Sequence, residues 1–170
     1  SDQPLPILYV ETGASFRRFI ERDTFSSQIS KRVYDLDDRQ HDFLACWMWG
    51  GVLIEELGEN MHLVVDGAPR SRPEAEILTT ALEFYEREKP VVIHLNVSRE
   101  WSEERLLKRG RLDDKSLSKI NKRLDWFEKD VIPTLEYFKT NPFYRVIEVN
   151  GEQSIAKVHS DIIAAYDYQA

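Results

Sequence analysis

The sequence predicts an α/β fold, a parallel sheet covered by helices on both faces. Three observations lead there. Four short runs, Ile7–Val10, Met61–Val65, Val91–Val97 and Arg145–Val149, are apolar and β-prone, and turn residues end most of them. The segments between them carry apolar residues at helical spacing. Strands that are nearly all apolar and alternate with helices belong to parallel sheets buried from both sides.

The first run follows two prolines and stops at Thr12-Gly13, a turn signal, so a buried strand enters a loop there. From Ala14 to Leu57 the pattern is that of several short helices, densest in Phe43 to Leu57, with breaks near Asp23 to Ser27 and Asp35 to Arg39. The second strand ends abruptly at Asp66-Gly67-Ala68-Pro69-Arg70, and Pro73 to Glu88 reads as an amphipathic helix. After the third strand a helix is expected from about Ser102 to Lys108, with Glu103 and Glu104 well placed in its first turn. Lys115 to Lys139 is a long helical pattern bent or interrupted at Pro133, which lacks a backbone donor. A turn at Asn150-Gly151 and a closing helix from Ser154 to Tyr166 complete the chain.

At 170 residues, 42% of them hydrophobic, the chain has the size and content of one domain. No run approaches the roughly 20 apolar residues of a membrane helix, and no charged-then-apolar leader opens the sequence; a cytoplasmic protein is expected, without nucleic-acid or membrane partners. The net charge of -7 opposes broad binding to such anionic surfaces, so any anion must be captured locally. Cys46, the single cysteine, sits among apolar neighbours and reads as a packed thiol. The four histidines are scattered without metal spacing, and His62 and His94 read as structural strand residues. Trp47, Met48 and Trp49 read as helix packing.

In open parallel sheets, ligands gather beyond the carboxyl ends of the strands. Arginines fall there: Arg17 after the first strand, Arg70 after the second, and Arg105, Arg109 and Arg111 after the third. Arg105 and Arg109 are four apart and share a helix face. Guanidinium groups match phosphate oxygens in pairs and stay charged at any relevant pH. For one arginine alone a solvated surface pair is an equal alternative; the set points to an oxygen-rich anion. In Asp66-Gly67-Ala68-Pro69-Arg70 the glycine permits a tight turn, the proline stiffens it, the aspartate can face a magnesium shell and the arginine is thrown toward the crevice. A plain turn is the alternative. Asp113-Asp114 can hold neighbouring arginines or a hydrated metal, or can simply start a helix.

These residues resemble the adenylate kinase and nucleoside monophosphate kinase family. Asp66-Gly67-Ala68-Pro69-Arg70 resembles its Asp-Gly-Phe-Pro-Arg turn, and Arg109 with Arg111-Leu112-Asp113-Asp114 its lid ending in Arg-x-Asp-Asp. Thr12-Gly13 with Arg17 is similar to the start of its monophosphate-binding region, Arg123-Leu124 to the arginine of the following helix, and Val149-Asn150-Gly151 to its last strand and turn.

The resemblance implies one P-loop, nucleoside monophosphate kinase-like domain over residues 1–170. Its helical monophosphate-binding region would span 14–58 and a very short lid 109–114. The implied activity is transfer of the terminal phosphoryl group of ATP, with Mg2+, to a nucleoside monophosphate, AMP by family frequency, in a monomer. Thr12, Arg17, Gly67 and Arg70 would hold the acceptor, with Glu74 where the family's adenine-reading glutamine stands; a carboxylate there suits guanine's adjacent donors better, which leaves the acceptor base open. Asp66 would meet magnesium through water. Arg105, Arg109, Arg111 and Arg123 would surround the donor phosphates, positioned by Asp113 and Asp114. The sequence departs from the pattern in having no G-x-x-x-x-G-K-[ST] loop and no strand before it. Ile7 already matches the family's second strand, so the sequence is expected to start inside a longer protein and to be inactive as it stands. If it is complete, the alternative is a non-catalytic nucleotide-binding or interaction module. Only Gly110 separates Arg109 from Arg111, so the lid is short and carries no zinc ligands.

Overall fold

The computed structural model describes residues 3–109 and 116–166, which fall into two compact units, Ser1–Arg87 and Glu88–Ala170. Helices and parallel strands alternate in both, as the apolar runs predict, and the strands pair two by two.

The first unit runs β1 (Ile7–Glu11), α1 (Thr12–Ile20), α2 (Phe25–Asp35), α3 (Asp42–Glu56), β2 (His62–Asp66) and α4 (Arg72–Phe84). Strands β1 and β2 are parallel, with Tyr9 opposite Val64 and Glu11 opposite Asp66, so both end at the same level. Helix α3 packs on β1, α1 and α4. It brings Leu53, Trp49 and Met48 into a core with Leu8 and Val10, each such side chain contributing about 2 kcal/mol of apolar burial. Exposure alternates along β1: Leu8 and Val10 point inward, while Ile7 and Tyr9 are more than half exposed. An apolar run therefore marks a strand without telling which of its faces is covered.

Two junctions differ from the sequence pattern. Thr12 and Gly13, expected as a turn, open α1 instead; glycine is tolerated there because first-turn N–H groups have no partner inside the helix. Glu11 precedes them without offering a side-chain cap. Between α1 and α2, Thr24 makes a reciprocal capping box with Ser27, which sets the start of α2 within the expected break. At the far end of the unit, Arg87 donates from Nη1 to Met61 O and from Nη2 to Gly58 O, both at 3.0 Å, while its buried Nε makes no hydrogen bond.

The second unit runs β3 (Val91–Asn96), α5 (Arg99–Arg109), α6 (Leu117–Trp126), a π-helical turn (Phe127–Val131), α7 (Ile132–Thr140), β4 (Arg145–Asn150) and α8 (Ile155–Tyr166). Strands β3 and β4 are parallel, and β4 packs against α7 and α8. The turn after β4 needs glycine for space: a Cβ on Gly151 would lie 2.6 Å from Val97 Cγ1, and Gly151 N–H donates to Asn96 O at 2.8 Å.

The interruption expected at Pro133 is the π-helical turn just before it. Proline cannot donate to the preceding turn, the helix widens, and Ile132 N–H bonds back to Phe127 O. Thr134 Oγ1 then donates to Asp130 O at 2.7 Å, satisfying a carbonyl in the widened turn. No described helix is long and apolar enough to cross a membrane.

Candidate functional site

In the first unit the predicted residues converge at the carboxyl ends of β1 and β2. The centre is the carbonyl of Gly67. It accepts from Thr12 Oγ1 at 3.0 Å and from Arg70 Nε at 2.7 Å, so residues 55 and 3 positions away share one acceptor. Gly67 has φ +79°, a left-handed conformation that side chains resist, and a Cβ there would press on Thr12 Oγ1 at 3.0 Å and Arg70 Nη2 at 3.2 Å. Glycine thus serves both the turn and the close approach. Arg17 comes from the second turn of α1 and folds back over Gly13: its Nη1 lies 3.4 Å from where a Gly13 Cβ would be, and its Nη2 lies 3.6 Å from Glu11 Oε1. Two guanidinium groups, a hydroxyl and the first turn of α1 therefore border one small region, an arrangement suited to a phosphate.

Asp66, the last residue of β2, accepts at Oδ2 from the Tyr9 hydroxyl at 2.6 Å, and this bond chiefly raises the Tyr9 pKa. Tyr9 was not singled out from sequence. The register would have found it: Tyr9 pairs with Val64, two residues before Asp66, so the two side chains are diagonal neighbours on one sheet face. No group of three or more His, Cys, Asp or Glu that could hold a metal occurs among the described residues. A magnesium ion held mainly by water and phosphate oxygens needs few protein ligands, and a carboxylate such as Asp66, which accepts from Tyr9 at one oxygen, is of the chemical type that could meet such a shell.

Glu74 is placed otherwise than expected. A position meeting an acceptor base would face an open cleft, yet Glu74 is only 1% exposed and both carboxylate oxygens are engaged. Oε1 accepts from Trp49 Nε1 at 3.1 Å and Oε2 from Arg70 N at 2.6 Å. The local cause is a variant capping arrangement. Ser71 caps α4 by accepting from Glu74 N at 3.3 Å, and Glu74, three residues on, reaches back one residue beyond the cap to Arg70. Burial raises the Glu74 pKa against the opposing pull of the Arg70 and Trp49 donors.

The same α3 face carries Asp42, seven residues before Trp49 and so two turns away. Its Oδ1 accepts from Ser71 Oγ at 2.7 Å and Arg39 Nη1 at 2.9 Å. Burial would raise the Asp42 pKa, but the Ser71 and Arg39 bonds hold it below the ordinary value. Cys46, on the helix between them, has its thiol pushed up to about 11 by burial, in keeping with a packed thiol.

In the second unit Arg105 and Arg109 lie on α5 and Arg123 on α6, and these two helices pack together. The Arg105 guanidinium stacks 4.6 Å from the centre of the Trp101 ring, four residues earlier. Arg99, not anticipated from sequence, fixes the start of α5. It donates to Glu128 and Asp125 at 2.8 Å and to Asn121 Oδ1 at 3.2 Å. His94 meets Glu148 across the β3–β4 pair at 3.0 Å, the partnered strand residue expected. His62 is exposed in β2. Arg111, Asp113 and Asp114, and with them most of the short lid, lie outside the described residues.

No protein-family model matches the chain. The adenylate kinase of Flavobacterium psychrophilum is 30% identical over 165 residues, covering 92% of this chain and 85% of that protein. An adenylate kinase of Prochlorococcus marinus is 29% identical over 160 residues, covering 94% and 85%, and that of Corynebacterium urealyticum 27% over 163, covering 96% and 87%. Identity at that level over nearly the whole chain, on a fold with the expected order of strands, helices and turns, means that the chain belongs to the adenylate kinase family.

Proposed function

We propose that the protein takes part in phosphoryl transfer from ATP to a nucleoside monophosphate, with AMP as the acceptor, and that the first unit holds that acceptor. The observation that carries this reading is the shared Gly67 carbonyl, which brings Thr12 and Arg70 to one point beside Arg17. The Arg70 and Arg17 guanidinium groups would take the phosphate oxygens of AMP, and the Thr12 hydroxyl would turn from Gly67 O to the same group. Phosphoryl transfer needs little covalent help, and its demands are alignment and charge stabilisation. In the second unit Arg105, Arg109 and Arg123, with Arg111 and the acids Asp113 and Asp114, would surround the donor phosphates. Asp66 would hold a water of the magnesium shell, and the ion would offset phosphate charge. We also take the protein to act as a cytoplasmic monomer.

Binding without transfer is a second reading. The 170 residues themselves include no G-x-x-x-x-G-K-[ST] loop, so binding and transfer are tested separately. Calorimetry with AMP, CMP, UMP and GMP, alongside a coupled assay with magnesium ATP, separates the two. The acceptor-site reading expects AMP to bind best and Arg70→Ala and Arg17→Ala to weaken it; unchanged affinity in both variants would sink it. Turnover in the coupled assay would remove the second reading.

A further inference from the structure

We propose that Glu74, seated on Trp49, is a positioning residue that fixes the Arg70 backbone, and that this position requires a carboxylate here because two N–H donors converge on it. The proposal rests on Arg70 as the phosphate-binding arginine of the acceptor site. The donors are the Trp49 indole, 25 residues before Glu74, and the Arg70 amide, four residues before it. Each takes a different oxygen. A carboxamide presents one acceptor oxygen and one NH2 group. With its oxygen toward Arg70 it would set NH2 against the Trp49 N–H; turned over, it would set NH2 against the Arg70 N–H. Either way a donor faces a donor at a site that is 1% exposed, where water cannot compensate.

The consequence reaches Arg70 through its two tethers. Glu74 holds the backbone N–H, and Gly67 O holds Nε, so both the origin and the direction of the side chain are constrained. Trp49 is 3% exposed and belongs to α3, whose first residue, Asp42, is bonded to the α4 cap Ser71. The brace therefore ties the arginine to the packing of α3 on α4. The charge of Glu74 sits opposite these donors and near Asp42 and Arg70. In this arrangement Glu74 acts through Arg70.

The test uses the full 170-residue chain, AMP as the probe, and Glu74→Gln, Trp49→Phe, Arg70→Ala and Leu53→Ala. Leu53 is buried in α3 one turn after Trp49, and its aliphatic side chain neither donates nor accepts a hydrogen bond, so Leu53→Ala loosens the same core without removing a polar partner and serves as a control for plain destabilisation. Glu74→Gln is expected to weaken AMP about tenfold and Trp49→Phe about threefold, with the double variant costing less than the sum. Leu53→Ala should lower Tm and leave AMP affinity unchanged. Amide exchange at Arg70 should quicken about tenfold in Glu74→Gln, and the Trp49 indole N–H resonance should move. Glu74→Gln binding AMP as wild type does, or no worse than Leu53→Ala, overturns the proposal; if that variant does not fold, Trp49→Phe decides by the same comparison. Should Arg70→Ala leave AMP affinity intact, the acceptor-site reading fails by itself. The brace is then judged on Arg70 exchange, and an unchanged rate in Glu74→Gln or Trp49→Phe overturns it.

Discussion

Both units carry surface ion pairs, but they differ in where the group that gathers most partners sits. In the first, a buried acid at 1% exposure sits between two helices, and the arginine beside the candidate site hangs from it. In the second, Arg99 is about one-third exposed and its partners Asp125 and Glu128 more than half, and Lys108–Glu104 and Lys157–Asp161 are surface pairs one helical turn apart. Buried pairs hold one geometry because breaking them leaves an uncompensated group, whereas surface pairs exchange with water at little cost. A site for a small, fixed anion such as a monophosphate suits the first kind. Arginines that must follow a phosphoryl group as it moves suit the second.

The widest separation between the units should come from Arg70→Ala against Arg99→Ala. The former is expected to weaken AMP about a hundredfold, since charge-assisted bonds to phosphate are lost, and to change Tm little. Arg99→Ala should leave AMP affinity alone and lower stability only slightly in urea titration. Equal effects on AMP from both would erase the contrast.

Gly67→Ala comes next. The left-handed φ and the two close contacts predict a loss of about 2 kcal/mol in stability together with a weakened AMP site, read by thermal melting and calorimetry. Normal AMP affinity would mean that the shared carbonyl is not the organising point.

A smaller effect distinguishes the acids by sign. The Glu148 pKa is lowered, first by the His94 bond and then by Lys139, so its contribution is present above the unfolded value of 4.5 and is lost as pH falls through the lower folded value. The Glu74 pKa is raised, so the folded state binds its proton more tightly, and stability is gained as pH falls through the folded value toward 4.5. Urea titrations across acid pH should therefore find the penalty of Glu148→Gln shrinking as pH falls below 4.5 and that of Glu74→Gln shrinking as pH rises above it. Parallel slopes would refute the assignment of burial as the Glu74 cause.

The elements were readable because their signals are local. Apolar runs mark β1 to β4, Gly67 and Pro69 mark the turn, and Pro133 marks the widened helix, each within a few residues of its effect. Thr12, Arg17 and Arg70 were readable as a set because parallel strands end together and chemistry collects there. Glu74 was not: its surroundings are set by Trp49 on another helix, and no spacing rule connects them. Tyr9 needed the β1–β2 register, which sequence alone leaves open, and Arg99 needed the packing of α5 on α6. Exposure of Ile7 and Tyr9 was hidden for the related reason that apolar content does not name a covering partner.

Arg87 is the last residue of the first unit. Its two carbonyl bonds close the first unit at its last residue, and lysine, with a single nitrogen, could not span Met61 and Gly58 at once. A cut beyond Arg87 would leave that clasp whole, while one just ahead of it would free the loop that leads into β2; because trypsin must draw an arginine side chain into its own pocket to cut after it, the clasp should shield the bond after Arg87, and the fragments surviving brief treatment should end beyond it.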